Sequence, residues 1–147
     1  MTTTEILERL PYEKPFLFVS TIDTISDEAI TGSFTFDKGL DFYKGHFKNK
    51  PITPGVILTE VMAQIGLVCL GIYLAGKEKL LDNISVALTQ TNIEFYKPVY
   101  PGERVTVESI KEYFRFGKLK CKVSMRNERS ELVCDGYISG MIVTDAK

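Results

Sequence analysis

The chain has 147 residues, 44% of them hydrophobic and 25% charged. That composition can bury a core and excludes disordered and fibrous classes. Eighteen Lys and Arg against nineteen Asp and Glu give a net charge of -1, so the overall basic excess of a nucleic-acid binder is missing.

The length suits a single domain over residues 1–147. In chain order, the pattern predicts a short helix over Thr4–Leu10, then strands over Phe16–Ile22 and Ala29–Phe36. A loop follows and carries Tyr43-Lys44-Gly45-His46-Phe47. Thr53 is placed to cap a long helix, with Pro54 at its first position and Gly76 as a left-handed cap beyond Ala75. Strands are then expected over Ile84–Phe95, Arg104–Phe116, Lys118–Met125 and Leu132–Val143. Val105, Val107 and Ser109 alternate with polar neighbours, as do Leu119, Cys121, Val123 and Met125, which is the period of a strand with one wet face. Short connections at Gly117 and Asn127 imply hairpins and an antiparallel sheet. The predicted class is α+β, a long buried helix with an antiparallel sheet curled about it.

Val56–Ala75 is 20 residues long and mostly apolar, the length that spans a bilayer, but it carries Thr59, Glu60 and Gln64. Its uninterrupted apolar part, Ile65–Ala75, is only 11 residues, which favours a helix buried in protein. Gly66 and Gly71 inside it are expected to let another backbone or a ligand approach closely. Three cysteines, Cys69, Cys121 and Cys134, cannot pair completely and have no C-x-x-C spacing, so free thiols in a reducing compartment are expected. With no basic and apolar leader in the first residues, a cytoplasmic location is expected.

His46 is the only histidine, so any imidazole chemistry belongs to it. It lies eight residues before the predicted helix, and Glu60 lies one and a half turns inside that helix. The apolar neighbours of Glu60 leave it little polar face, so a buried carboxylate with a raised pKa is expected, a solvated surface residue being the alternative. Gln64 follows at i+4, where it can hydrogen-bond and orient Glu60, or simply serve the structure. The N–H groups of Gly55 and Val56 stand at the positive end of the helix dipole and can polarise a carbonyl oxygen. A base, an acid and a carbonyl-binding corner within fifteen positions suit proton removal α to a carbonyl with acid-assisted loss of a β group.

The stretch Gly45-His46-Phe47-Lys48-Asn49-Lys50-Pro51-Ile52-Thr53-Pro54-Gly55-Val56-Ile57-Leu58-Thr59-Glu60-Val61-Met62-Ala63-Gln64 resembles the active-site signature of the FabZ/FabA-type 3-hydroxyacyl-acyl-carrier-protein dehydratases. Leu10-Pro11, Pro15-Phe16-Leu17 and Phe95-Tyr96-Lys97-Pro98-Val99-Tyr100-Pro101-Gly102-Glu103 resemble that family's opening and its strand-to-strand turn. The resemblance implies a hotdog fold, a homodimer whose site takes His46 from one subunit and Glu60 from the other, and substrates carried on the phosphopantetheine of an acyl carrier protein. It further implies His46 as base, Glu60 as acid, and Gly55, Val56 and Gln64 in substrate binding, with no metal or organic cofactor. A Glu rather than an Asp at position 60 favours dehydration without isomerisation.

The chain departs from the family at Tyr12-Glu13-Lys14, where His-Arg-Tyr is usual, and at Lys48-Asn49-Lys50, where Pro-Gly-Arg is usual. These departures bear on the docking surface, the acyl length, and the choice between fatty-acid and polyene or polyketide-type synthesis. Lys44, Lys48, Lys50, Lys97 and Arg104 are the basic candidates for the carrier protein. The rival readings are a hotdog acyl thioesterase and a catalytically weak subunit that pairs with a related dehydratase.

Overall fold

Among the described residues, six strands form one antiparallel sheet, and a 23-residue helix, Gly55–Lys77, lies against its inner face. The computed structural model describes residues 1–77 and 84–144. Its elements are α1 (Thr3–Glu8), β1 (Thr21–Ile25), β2 (Ala29–Thr35), a 3₁₀ turn at Asp41–Lys44, α2 (Gly55–Lys77), β3 (Ile84–Phe95), β4 (Arg104–Arg115), β5 (Lys118–Arg126) and β6 (Leu132–Thr144). The strand order is β1-β2-β4-β5-β6-β3. This is the α+β arrangement expected of a hotdog fold.

Alternation decides which face each strand buries. Val105, Val107 and Ser109 of β4 and Leu119, Cys121, Val123 and Met125 of β5 are all buried, while Lys122 and Glu108 face solvent. The β4–β5 hairpin turns on Phe116 and Gly117, both with positive φ (52° and 74°), the two-residue turn that matches strand twist. At the β5–β6 turn the buried Asn127 accepts the N–H groups of Arg129 and Glu131 on its side-chain oxygen, closing a local Asx-type turn.

In the apolar window of α2, 72% of residues are buried inside the protein. The helix is therefore a core element of this fold, as its interrupted apolar run predicts. Its middle, Ala63–Cys69, is π-helical and every residue there is buried. Gly66 is the point of closest approach to the sheet. A Cβ there would lie 2.9 Å from both Ser109 Cβ and Val123 Cγ1, and the Gly66 carbonyl accepts the Ser109 hydroxyl at 2.9 Å. Gly66 thus admits strands β4 and β5, leaving no space for a ligand at that spot. Gly71 is different, because a Cβ there meets Ile142, Leu119 and Val86 only at 3.7 Å, ordinary contact.

The ends of β2, β4, β5 and β6 each differ from the expected ones by a single residue, and four other predicted features change. The first strand covers Thr21–Ile25 rather than Phe16–Ile22, because the backbone of Phe16 and Phe18 bonds to the Gln64 side chain instead of a neighbouring strand. Pro54, not Thr53, is the N-cap of α2: its φ of -60° and ψ of 138° are extended, and its carbonyl accepts the Ile57 and Leu58 N–H groups. Thr53 instead shares a hydrogen bond with Tyr43. Gly76 lies inside a helix that continues to Lys77, so it is not the cap. The first helix is Thr3–Glu8, begun by Thr2, whose hydroxyl oxygen accepts the Glu5 N–H.

Candidate active site

The loop between the 3₁₀ turn and α2 is tied down at both ends. Tyr43 and Thr53, both buried, share a hydroxyl hydrogen bond of 2.6 Å, and the Thr53 N–H donates to the Val99 carbonyl. Burial pushes the Tyr43 phenol above its ordinary pKa. Between these ties the Ile52 N–H donates to the His46 carbonyl at 2.9 Å. In return, His46 Nδ1 sits 2.8 Å from the Ile52 carbonyl oxygen. A carbonyl can only accept, so Nδ1 carries the hydrogen and the lone pair of the neutral ring is at Nε2. The ring stacks on Phe47 with centroids 3.8 Å apart, which further limits its rotation.

Glu60 is half-buried in the single chain, less than the buried carboxylate expected from its apolar neighbours. Gln64, one helical turn further in, is fully buried. Its Nε2 donates to Glu60 Oε2 at 2.9 Å and to the Phe16 carbonyl at 3.0 Å, while its Oε1 accepts the Phe18 N–H at 2.8 Å. The i+4 spacing therefore does bring Gln64 onto Glu60, as the sequence predicts. Phe18 is held in turn by edge-on contacts with Phe16 and Phe34, at 5.0 and 5.5 Å between ring centroids. Among the described residues, His46 and Glu60 make no hydrogen bond to one another and have separate partners.

The start of α2 leaves the Gly55 and Val56 N–H groups without an intrahelical acceptor, since the first helical bonds are those of Ile57 and Leu58 to Pro54. They occupy the positive end of the dipole and can receive an oxygen that gains charge. Gly55 suits this corner, because a Cβ would approach the Phe95 ring to 3.3 Å, a tight contact. Beside it opens a groove of about 280 Å³, lined by Thr53, Leu58, Phe95, Tyr96, Lys97 and Pro98. The Val56 side chain is 76% exposed and points away from the core.

One neighbour of the site was not singled out from the sequence as functional. Tyr12 has its phenol pKa pushed up to about 12, first by burial and then by the charge of Glu60. Its only sequence signal was its place in the departure from His-Arg-Tyr. Of the basic candidates, Lys44 pairs with Asp41 at 3.3 Å and Lys97 with Glu131 at 3.2 Å, while Lys48, Lys50 and Arg104 are exposed. Among the described residues no group of three or more His, Cys, Asp or Glu is arranged to hold a metal ion.

Known proteins resemble this chain both in sequence and in backbone. The sequence model of the FabA-like domain matches residues 10–138. The 3-hydroxyacyl-acyl-carrier-protein dehydratase FabZ of Sinorhizobium medicae is 35% identical over 144 residues, covering 97% of this chain and 83% of that protein. FabZ of Rhizobium etli (strain CIAT 652) is 36% identical over 143 residues, covering 95% and 87%. Among solved structures, the dehydratase heterocomplex ApeI:P from Xenorhabdus doucetiae superposes with a TM-score of 0.80 at 13% identity, covering 95% of this chain and 91% of that one. Thioesterase HI1161 from Haemophilus influenzae superposes with a TM-score of 0.57 at 17% identity, covering 84% and 78%. At such identities these two likenesses speak for the fold alone. The match to the family model and the near full-length relatives place the chain in the FabA-like family.

Proposed function

We propose that this chain is a 3-hydroxyacyl-acyl-carrier-protein dehydratase, a hydro-lyase that converts the 3-hydroxyacyl thioester reversibly to the trans-2-enoyl thioester in fatty-acid or related polyene or polyketide-type synthesis. The observation that carries this reading is the His46–Ile52 hydrogen bond, which leaves Nε2 as a base in the very segment that matches the family. In the dehydration direction, Nε2 takes the proton from C2 while the C3–O bond breaks. Glu60 delivers a proton to the departing oxygen, and the electron pair of the C2–H bond becomes the C2=C3 double bond, so that water leaves. The N–H groups of Gly55 and Val56 receive the thioester oxygen as it gains enolate character. Solvent then returns the proton from His46 to Glu60.

The working unit is a homodimer whose site combines His46 of one subunit with Glu60 of the other. Two features support this. The two side chains have separate hydrogen-bond networks within one chain. Strand β3 is an edge of the sheet, and Leu88, Phe95 and Tyr96 in or beside it are 47–50% exposed, a surface that pairing with another copy would cover. The partner that delivers substrate is an acyl carrier protein, with Lys48, Lys50 and Arg104 as exposed cations near the segments that carry the site. Three free, buried cysteines fit a reducing cytoplasm.

Purified protein incubated with 3-hydroxyacyl and 2-enoyl thioesters of several lengths, followed by mass spectrometry, tests the assignment. Interconversion by loss and gain of water is the expected result. Release of free thiol as the main product would point to a thioesterase, and no turnover without a related subunit would point to a scaffold.

A further inference from the structure

The Gln64 side chain is fully buried, and two backbone groups fix which way round its amide lies. An N–H can only donate, so the Gln64 atom 2.8 Å from the Phe18 N–H is the carbonyl oxygen. A carbonyl can only accept, so the atom 3.0 Å from the Phe16 oxygen is the amide nitrogen. That nitrogen has two hydrogens. One is spent on Phe16, and the other meets Glu60 Oε2 at 2.9 Å, an ordinary donor distance. The orientation of the amide thus follows from the Phe16–Phe18 segment before the carboxyl group is considered.

A neutral carboxyl group carries its proton on one oxygen only. The oxygen that receives the Gln64 hydrogen is best left as the C=O acceptor, since a hydroxyl oxygen is the poorer acceptor and brings a second hydrogen to the contact. Resting on the dehydratase reading above, we infer that Gln64 is a positioning residue that holds the transferable proton of Glu60 on Oε1. The acid then presents one of its two protonated forms to the substrate, with no need to rotate or exchange oxygens before transfer. This also accounts for the Phe16–Phe18 segment standing outside the sheet: one donor and one acceptor that a strand would offer its neighbour are spent on anchoring the amide.

The infrared C=O stretch of protonated Glu60, identified as the band lost in Glu60→Gln, tests the inference directly. With the proton on Oε1, the C=O is the Oε2 bond and accepts from Gln64, so Gln64→Met should move the band to higher frequency. An unmoved band would overturn the assignment, because the C=O would then be the Oε1 bond. In the same variant kcat should fall by about 10²-fold, the scale of a small misplacement at a reacting centre, while KM stays within about twofold. Values of kcat and KM both within about twofold of the original protein would remove the positioning role.

Because Gln64→Met leaves two backbone groups without partners and can fail to fold, the unaltered protein supplies a second reading. By NMR, the Gln64 Nε2 hydrogen that faces Glu60 should keep its hydrogen-bonded shift and slow solvent exchange after Glu60 is protonated. Loss of both on protonation would overturn the inference. Failure of enoyl formation in the product assay would instead count against the dehydratase reading, leaving the band and the amide hydrogen to decide where the proton sits.

Discussion

His46 and Ile52 bind each other twice: the Ile52 N–H donates to the His46 carbonyl at 2.9 Å, and His46 Nδ1 donates to the Ile52 carbonyl at 2.8 Å. The second bond selects the tautomer with its lone pair at Nε2, and the first holds the backbone from which the ring projects. His46→Ala should therefore fold normally, since the side chain is only part-buried, and should lose about 10²- to 10⁴-fold in rate. Hydration and dehydration share a transition state, so both should fall by the same factor. Rates in the two directions, with circular dichroism to confirm folding, check this; near-normal turnover in a folded variant would remove His46 from the mechanism.

A shared site makes a sharper demand. His46→Ala and Glu60→Gln chains should each be inactive, yet mixing them under conditions of subunit exchange should restore activity, because some heterodimers keep one intact His46 and Glu60 pair. Native mass spectrometry can count the heterodimers while the assay counts turnovers. Exchange without recovered activity would place the whole site within one chain.

Where the sequence was informative, it was because burial on one face leaves a period. Strands β4 and β5 alternate cleanly, and their hairpin was marked by Gly117, which takes positive φ without strain. The long helix was legible from its apolar run. The spacing of four between Glu60 and Gln64 correctly put the two side chains together. The Phe16–Ile22 segment misled in its first half, which has the apolar content of a strand while the Phe16 carbonyl and the Phe18 N–H are taken by the side chain of residue 64, a tertiary contact that local pattern does not encode. Thr53 looked like a cap for the same reason: nothing local announces that its hydroxyl is taken by Tyr43, ten residues earlier. The π-helical turn at Ala63–Cys69 also carries no local signature. It lies where Gly66 meets Ser109 and Val123, and that contact is set by the sheet.

Gly66 and Gly71 should respond in opposite ways to the same change. A Cβ at Gly66 would press on Ser109 and Val123 at 2.9 Å and disturb the Ser109 hydrogen bond, so Gly66→Ala should cost about 1–3 kcal/mol through overpacking. At Gly71 the added methyl finds neighbours at 3.7 Å, and alanine is favoured over glycine in a helix by about 1 kcal/mol. Gly71→Ala should accordingly leave stability unchanged or raise it. Urea midpoints with unchanged m-values measure both; a harmless Gly66→Ala would show that helix and sheet are less tightly apposed than the distances say.

The buried thiols and Tyr12 contribute to the response to alkali. Burial pushes Cys69 up to about 12 from an ordinary 9.0, Cys134 to about 12 and Cys121 to about 11. Burial and then the charge of Glu60 push Tyr12 up to about 12 from 10.0. In each case the folded protein binds the proton more tightly than the unfolded chain does. Below pH 9 the thiols keep their protons in both states, so they add no pH dependence. As pH rises past 9, and past 10 for Tyr12, the unfolded chain releases protons that the folded protein still holds. Stability should then fall until the folded values are passed, by up to about 1.4 kcal/mol per pH unit for a fully buried group. The urea midpoint should decline from pH 9 to 11, with a reducing agent present to prevent thiol oxidation. Cys69→Ala should lower stability at pH 7 by loss of packing, yet it should flatten the decline above pH 9 because one titrating group is gone. The slope separates the two effects: an unchanged slope in Cys69→Ala would mean that the buried thiol is not what couples this fold to pH.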